Sequence, residues 1–193
     1  MNLPNKLTML RIVMIPIFMV FLCVPLPIPE WACRLIAAAI FGLASFTDML
    51  DGKIARKYNL ITNFGKLMDP LADKMMVFGA MLGILVYPPC ADLRPIFVWA
   101  AVIVIAREMA VTSLRLIAAS QGGEVIAAAW LGKVKTCTQV ACIVVVLLEP
   151  LIPLAPFCDW HILSWITTAA MIVMTLWSGI DYFKGYAKYL KDF

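Results

Sequence analysis

Leu7-Thr8-Met9-Leu10-Arg11-Ile12-Val13-Met14-Ile15-Pro16-Ile17-Phe18-Met19-Val20-Phe21-Leu22-Cys23-Val24-Pro25 is a run of nineteen residues with one charge, Arg11. A helix needs about 20 apolar residues to cross a hydrocarbon core of roughly 30 Å, so this run is long enough to span. Lipid offers no partner for backbone N–H and C=O groups, so the run must be helical. Pro16 lies inside it and predicts a kink. Weakly basic residues precede it, as in a signal peptide, but no small-residue cleavage site follows, so it reads as a retained first helix.

Working outward, five further apolar runs bounded by Pro, Gly or charge occupy Trp31–Phe46, Leu71–Tyr87, Ile96–Ile117, Val134–Leu148 and Ile162–Trp177. The expected fold is therefore all-α: an integral membrane protein with six transmembrane helices, forming one domain over residues 1–193. A chain that is 63% apolar and only 15% charged lies outside the range of ordinary soluble domains. No internal repeat or low-complexity tract is visible, and no nucleic-acid partner is expected.

Short loops rich in Lys and Arg stay on the cytoplasmic side. With the N-terminus inside, fourteen of the sixteen basic residues fall on or near that side, leaving only Arg34 and Arg94 outside. Both termini are thus expected in the cytoplasm. Glu30, Asp92, Glu149, Asp159 and the lone His161 fall on the opposite side, where His161 reads as a solvated loop residue rather than a metal ligand. The six cysteines, at 23, 33, 90, 137, 142 and 158, form no metal-ligand spacing and read as small buried apolar residues. Cys90 and Cys158 share the outer side, which leaves a disulfide open.

The chemistry is concentrated where the second span ends and the third begins. Asp48 and Asp51 are three residues apart and Asp69 and Asp73 four apart, so on helices each pair shares a face. Four carboxylates at a membrane boundary are costly unless functional, and two divalent cations would neutralise them. With no His or Cys close by, the ligands are hard oxygens, which favour Mg²⁺ or Mn²⁺ over Zn²⁺. Two such ions can clamp the attacking and leaving oxygens of a phosphoryl displacement. Gly52 and Gly65 permit close approach of backbone to a ligand, and Arg56 presents a planar fork of donors to phosphate.

The string Asp48-x2-Asp51-Gly52-x2-Ala55-Arg56-x8-Gly65-x3-Asp69-x3-Asp73 resembles the signature of the CDP-alcohol phosphatidyltransferases at all eight fixed positions over 26 residues. The resemblance implies a bacterial plasma-membrane enzyme with its active site facing the cytoplasm. In it metals would hold the pyrophosphate of CDP-diacylglycerol, an alcohol would attack the phosphorus next to the lipid, and CMP would leave. It implies Asp48, Asp51 and Asp69 as metal ligands, Asp73 as ligand or catalytic base, and Gly52, Ala55, Arg56 and Gly65 as nucleotide-pocket residues. Thr62 is a further nucleotide candidate, equally readable as a turn residue. Pro4-Asn5-Lys6-Leu7-Thr8-Met9-Leu10-Arg11 is similar to the start of the bacterial phosphatidylglycerophosphate synthases, which makes Asn5 and Thr8 nucleotide candidates that can equally cap a helix.

Arg107 and Arg115 lie eight residues apart and broadly share a face of the fourth span, and Lys133 and Lys135 open the fifth. These cations point to an anionic acceptor such as glycerol 3-phosphate, with Glu108 available to pair with one of them. They can also be read as snorkelling residues that enforce topology. The strings Ala106-Arg107-Glu108, Gly132-Lys133-Val134-Lys135-Thr136 and Asp69-Pro70-Leu71-Ala72-Asp73-Lys74 again look like the phosphatidylglycerophosphate synthase subgroup. Inositol phosphate, serine or another phospholipid remains an alternative acceptor, although an amine would be repelled by the cations. A cation transporter is the distant rival, but that class expects midplane polar groups and repeated halves.

Gly79-x3-Gly83 suits close helix packing, within the chain or across a homodimer. The six tryptophans read as core and interfacial anchors. Asp181 to Phe193, with its lysines and tyrosines, reads as an interfacial basic stretch.

Overall fold

The apolar runs do form helices, and several helices outlast the runs that announce them. The computed structural model describes residues 3–57, 63–86, 91–120, 130–152 and 161–187. Six α-helices follow one another: α1 (Leu3–Cys23), α2 (Glu30–Lys57), α3 (Asn63–Val86), α4 (Arg94–Ser120), α5 (Trp130–Leu148) and α6 (Ile162–Tyr186). Single 3₁₀ turns, Ala91–Leu93 and Glu149–Leu151, precede α4 and follow α5. α1 runs unbroken through Pro16, and α3 through Pro70. Cys90, Cys158 and Trp160 lie outside the described residues.

Five of the six helices are long and apolar enough to cross a membrane, which makes the chain a multi-pass membrane protein. α3 is not among them, because Asp69, Asp73 and Lys74 occupy its first half. The outward faces carry Val13, Val20, Trp99, Leu116 and Trp177, a surface suited to hydrocarbon rather than water.

α1 packs on α2 and α3, α5 on α2 and α6, and α4 on α3 and α6. Ala37, Ala80 and Ala100 are fully buried, and side chains this small let backbones approach closely where lipid gives no hydrophobic drive for helices to associate. Gly79 and Gly83 serve the same end within the chain. A Cβ on Gly79 would meet Ile15 Cγ2 at 3.5 Å, and one on Gly83 would meet Leu22 Cδ2 at 2.5 Å, so both glycines seat α1 against α3. The main core runs through Phe18, Phe41, Met81, Phe97, Val104, Ile143 and Met171. A smaller cluster of Val111, Leu114, Ala118, Tyr182 and Tyr186 joins α4 to α6.

Several expectations need correction. Trp31, Trp99, Trp130 and Trp177 all face outward and so are not core. Cys142 is buried, but Cys137 is exposed on α5. His161 is not an isolated loop residue: its Nδ1 lies 3.2 Å from Asp92 Oδ1, and it caps α6 in a left-handed conformation with φ 47°. Tyr182 and Tyr186 are buried rather than interfacial, because α6 carries them under α4. Glu149 is buried and caps α6, accepting hydrogen bonds from the backbone N–H groups of Leu163 at 2.9 Å and Ser164 at 2.7 Å.

Candidate active site

α2 extends eleven residues past Phe46, so Asp48 and Asp51 stand on helix rather than on a frayed end. Just before them, hydroxyls that would otherwise compete with the helix bond back to it: Ser45 Oγ donates to Phe41 O at 2.9 Å and Thr47 Oγ1 to Ala44 O at 2.8 Å. α3 starts at Asn63, with Gly65 buried in its first turn and Asp69 and Asp73 one turn apart. The two helices bring Asp48 within electrostatic reach of both Asp69 and Asp73. Asp51, Gly52, Ala55 and Arg56 lie on the backbone of α2, and their side chains fall outside what is described, as Thr62 does altogether.

α1 forms the third wall. Arg11 is fully buried, and its Nη1 lies 2.6 Å from Asp48 Oδ1. Thr8, one turn earlier and also buried, donates its Oγ1 hydroxyl to Asp69 Oδ1 at 2.5 Å. Thr8, a nucleotide candidate on its sequence neighbourhood, thus stands against one of the motif carboxylates. Asn5 is buried one turn further back. In the sequence Arg11 bears on topology through the charge asymmetry, yet as the single charge in an apolar run it also calls for an anion in the fold.

Three described aspartates, set against Arg11 and against Lys135 within electrostatic reach of Asp73, leave a negative excess, and the side chain of Asp48 stays 37% exposed. An oxygen-only donor set with an open approach has the chemistry a hard divalent cation takes, although among the described residues no three acidic side chains are grouped closely enough to hold one ion.

The cations gather next door. A cavity of about 530 Å³ is lined by Asp73 and Lys74 of α3, Arg107, Glu108, Thr112 and Arg115 of α4, Lys135 of α5 and Tyr182 of α6, among others. Glu108 Oε1 takes both Arg107 Nη1, at 2.9 Å, and Lys135 Nζ. Lys74 Nζ donates to Thr112 Oγ1, and that hydroxyl donates to Glu108 O at 2.8 Å. Arg115 Nη2 donates to Tyr182 Oη at 2.8 Å. Arg107 Nε and Nη2 and Arg115 Nε are buried with no hydrogen-bond partner among the described residues. Unmet donors on two guanidiniums beside one cavity suit an anion such as phosphate, which accepts several hydrogen bonds at once.

Of the four cations expected to bind the acceptor, Arg107, Arg115 and Lys135 meet here. Lys133 does not: it is exposed and does not line the cavity, because two residues of helix turn it away from Lys135. Thr112 and Tyr182 carry no local sequence signal that sets them apart from helix-surface residues, and Lys74, though it closes the Asp69–Lys74 string, has no signal linking it to the cations of α4 and α5.

A family model described as CDP-alcohol phosphatidyltransferase matches residues 1–186. The chain is 40% identical to the CDP-diacylglycerol–glycerol-3-phosphate 3-phosphatidyltransferase of Bacillus subtilis (strain 168), over 94% of this chain and 93% of that protein. It is 38% identical to a probable phosphatidylglycerophosphate synthase of Mycobacterium tuberculosis (strain CDC 1551 / Oshkosh), over 94% of this chain and 79% of that protein. A CDP-diacylglycerol–glycerol-3-phosphate 3-phosphatidyltransferase of Rickettsia bellii (strain RML369-C) is 35% identical over 97% of both chains. The family match runs from α1 to the last residue of α6 and takes in all four motif aspartates. The chain belongs to the CDP-alcohol phosphatidyltransferase family.

Proposed function

We propose that this enzyme transfers the phosphatidyl group of CDP-diacylglycerol to glycerol 3-phosphate, yielding phosphatidylglycerophosphate and CMP. The observation that carries the reading is a single cavity that holds Asp73 on α3 together with Arg107, Arg115 and Lys135 on α4 and α5. A base and a phosphate-binding group on one wall-to-wall cavity are what a phosphorylated alcohol needs. The names of the relatives point to the same acceptor.

Asp48, Asp51, Asp69 and Asp73 would hold two divalent ions, Mg²⁺ or Mn²⁺. Bound there, the metals supply charge neutralisation and orientation for the pyrophosphate. The residues of the chain do the rest. Arg107, Arg115 and Lys135 bind the acceptor's phosphate and turn its free hydroxyl toward Asp73. Asp73 accepts the hydroxyl proton. The acceptor oxygen forms a bond to the phosphorus next to diacylglycerol, the bond from that phosphorus to the CMP oxygen breaks, and CMP departs with the electron pair. Arg11 and Thr8 hold Asp48 and Asp69 in place. Gly52, Ala55, Arg56, Gly65, Thr62, Asn5 and Thr8 remain our candidates for the nucleotide side.

The 24 residues of α3 and its packing beside α1 support it as a sixth crossing. With fourteen of sixteen basic residues on one side, the site faces the cytoplasm of a bacterial plasma membrane and both termini lie inside. The test supplies CDP-diacylglycerol, Mg²⁺ or Mn²⁺ and a panel of glycerol 3-phosphate, inositol phosphate, serine and glycerol, and measures CMP release. Glycerol 3-phosphate should be the best acceptor. Turnover with another alcohol while glycerol 3-phosphate is inert would overturn the assignment.

A further inference from the structure

The acceptor cavity sets two guanidiniums side by side, and their mutual repulsion must be offset before any anion arrives. Glu108 offsets part of it from α4, where among the described residues its ion pairs are with Arg107 and Lys135. Arg115 has no carboxylate among its described contacts. Its partner is Tyr182 of α6, through the hydroxyl at 2.8 Å and through the ring, whose centroid lies 5.1 Å from Arg115 Cζ. The same ring lies 5.3 Å from Arg107 Cζ. One aromatic face region thus attracts both cations, and Tyr186 stacks on that ring with centroids 6.3 Å apart and planes 8° apart.

A second feature of α6 serves the same arginine. Gly179, almost one turn before Tyr182, is where the aliphatic stem of Arg107 passes: a Cβ there would stand 3.3 Å from Arg107 Cγ. The helix that carries both residues is fixed along its axis from its far end. Glu149 caps its first turn, and Cys142 Sγ of α5 meets Thr168 Oγ1 at 3.5 Å. Ser164, Thr168, Thr175 and Ser178 are buried along α6. From Ile162 to Tyr182 the helix then rises about 30 Å, so Gly179 and Tyr182 arrive at the arginines at a set height.

We infer that Gly179 and Tyr182 of α6 form a cradle that positions Arg107 and Arg115 for the phosphate of the acceptor, making the C-terminal helix a determinant of acceptor affinity. Neither residue needs to touch the substrate; both act through the guanidiniums. The inference rests on the acceptor reading proposed above.

The experiment measures KM for both substrates and thermal unfolding in detergent, for wild type, Tyr182→Phe, Tyr182→Leu and Gly179→Ala, using whichever phosphorylated acceptor the wild type turns over. Tyr182→Leu removes both ring and hydroxyl and should raise the acceptor KM roughly tenfold or more, leaving the CDP-diacylglycerol KM unchanged. Tyr182→Phe keeps the ring and should recover part of that loss. Gly179→Ala favours helix and should not lower the unfolding temperature, yet should raise the acceptor KM several-fold by displacing Arg107. A residue that only packs would move KM and unfolding temperature together. Wild-type turnover with glycerol 3-phosphate and an unchanged acceptor KM in Tyr182→Leu and Gly179→Ala would overturn the inference alone. A wild type that ignores every phosphorylated acceptor would overturn the acceptor reading and the inference with it.

Discussion

The two halves of the site handle charge in opposite ways. Between α1, α2 and α3, carboxylates outnumber the cation beside them: Asp48, Asp69 and Asp73 face Arg11, with the Thr8 hydroxyl as a further donor. Between α3, α4, α5 and α6, each cation already has a protein partner. Arg107 and Lys135 share Glu108, Arg115 holds Tyr182, and Lys74 holds Thr112. The first half has less positive than negative charge, and under the proposed function divalent metal would complete it. The second is held together by weak internal partners that an incoming phosphate can outcompete, because a dianion offers more charge and more lone pairs than a shared carboxylate or a phenol. Under the proposed function the contrast would separate a centre for the leaving nucleotide from a centre for the incoming alcohol, with Asp73 at their junction.

Removing the metal should have the largest effect. Chelation with EDTA is expected to abolish CMP release, and Mg²⁺ or Mn²⁺ to restore it; activity that survives exhaustive chelation would undo the reading of the carboxylate half. Next comes Asp73→Asn. Losing the base should cost roughly 10²- to 10⁴-fold in kcat, while CDP-diacylglycerol binding, followed by equilibrium titration, stays near wild type. If binding disappears instead, Asp73 belongs to the metal half alone.

Thr8→Val tests whether α1 is part of that half. Removing a hydroxyl that bonds a carboxylate should lower kcat roughly tenfold with the acceptor KM unmoved. A change confined to the acceptor KM would place Thr8 in the wrong half. Lys133→Ala should have the smallest effect, within about twofold in every constant, since the residue is exposed and away from the cavity. A large rise in acceptor KM for this variant would show that the cation half extends further along α5 than Lys135.

The halves also differ in how far the sequence discloses them. Asp48 through Asp73 lie within 26 residues on two consecutive helices, so helical spacing alone aligns them and the carboxylate half is legible. Its α1 wall was only half legible: Arg11 stands out as a charge in an apolar run, but its pairing with Asp48 depends on how α1 and α2 pack. The cation half is assembled from four helices, over residues 73 to 182, and no local period links Arg115 to Tyr182, 67 residues away. Tyr182 looked interfacial because it sits among lysines in a terminal stretch, and only the burial of α6 against α4 reassigns it. Lys133 and Lys135 belong to one recognisable string, but helix geometry turns them apart, and of the two Lys135 lines the cavity. The fold itself was legible wherever apolar runs were long. The length of α2 was not, since six of its last eleven residues are Thr, Asp, Lys or Arg and interrupt the apolar run.

The division of labour between the halves is tested most directly by Arg115→Ala. Arg115 makes no contact with the described aspartates and lines the cavity beside Asp73. Steady-state kinetics with both substrates varied should show the glycerol 3-phosphate KM rising roughly 10- to 100-fold, the loss of a charge-assisted hydrogen-bonding group, with the CDP-diacylglycerol KM within about twofold of wild type. Equal increases in both KM values would contradict the separation of a nucleotide centre from an acceptor centre.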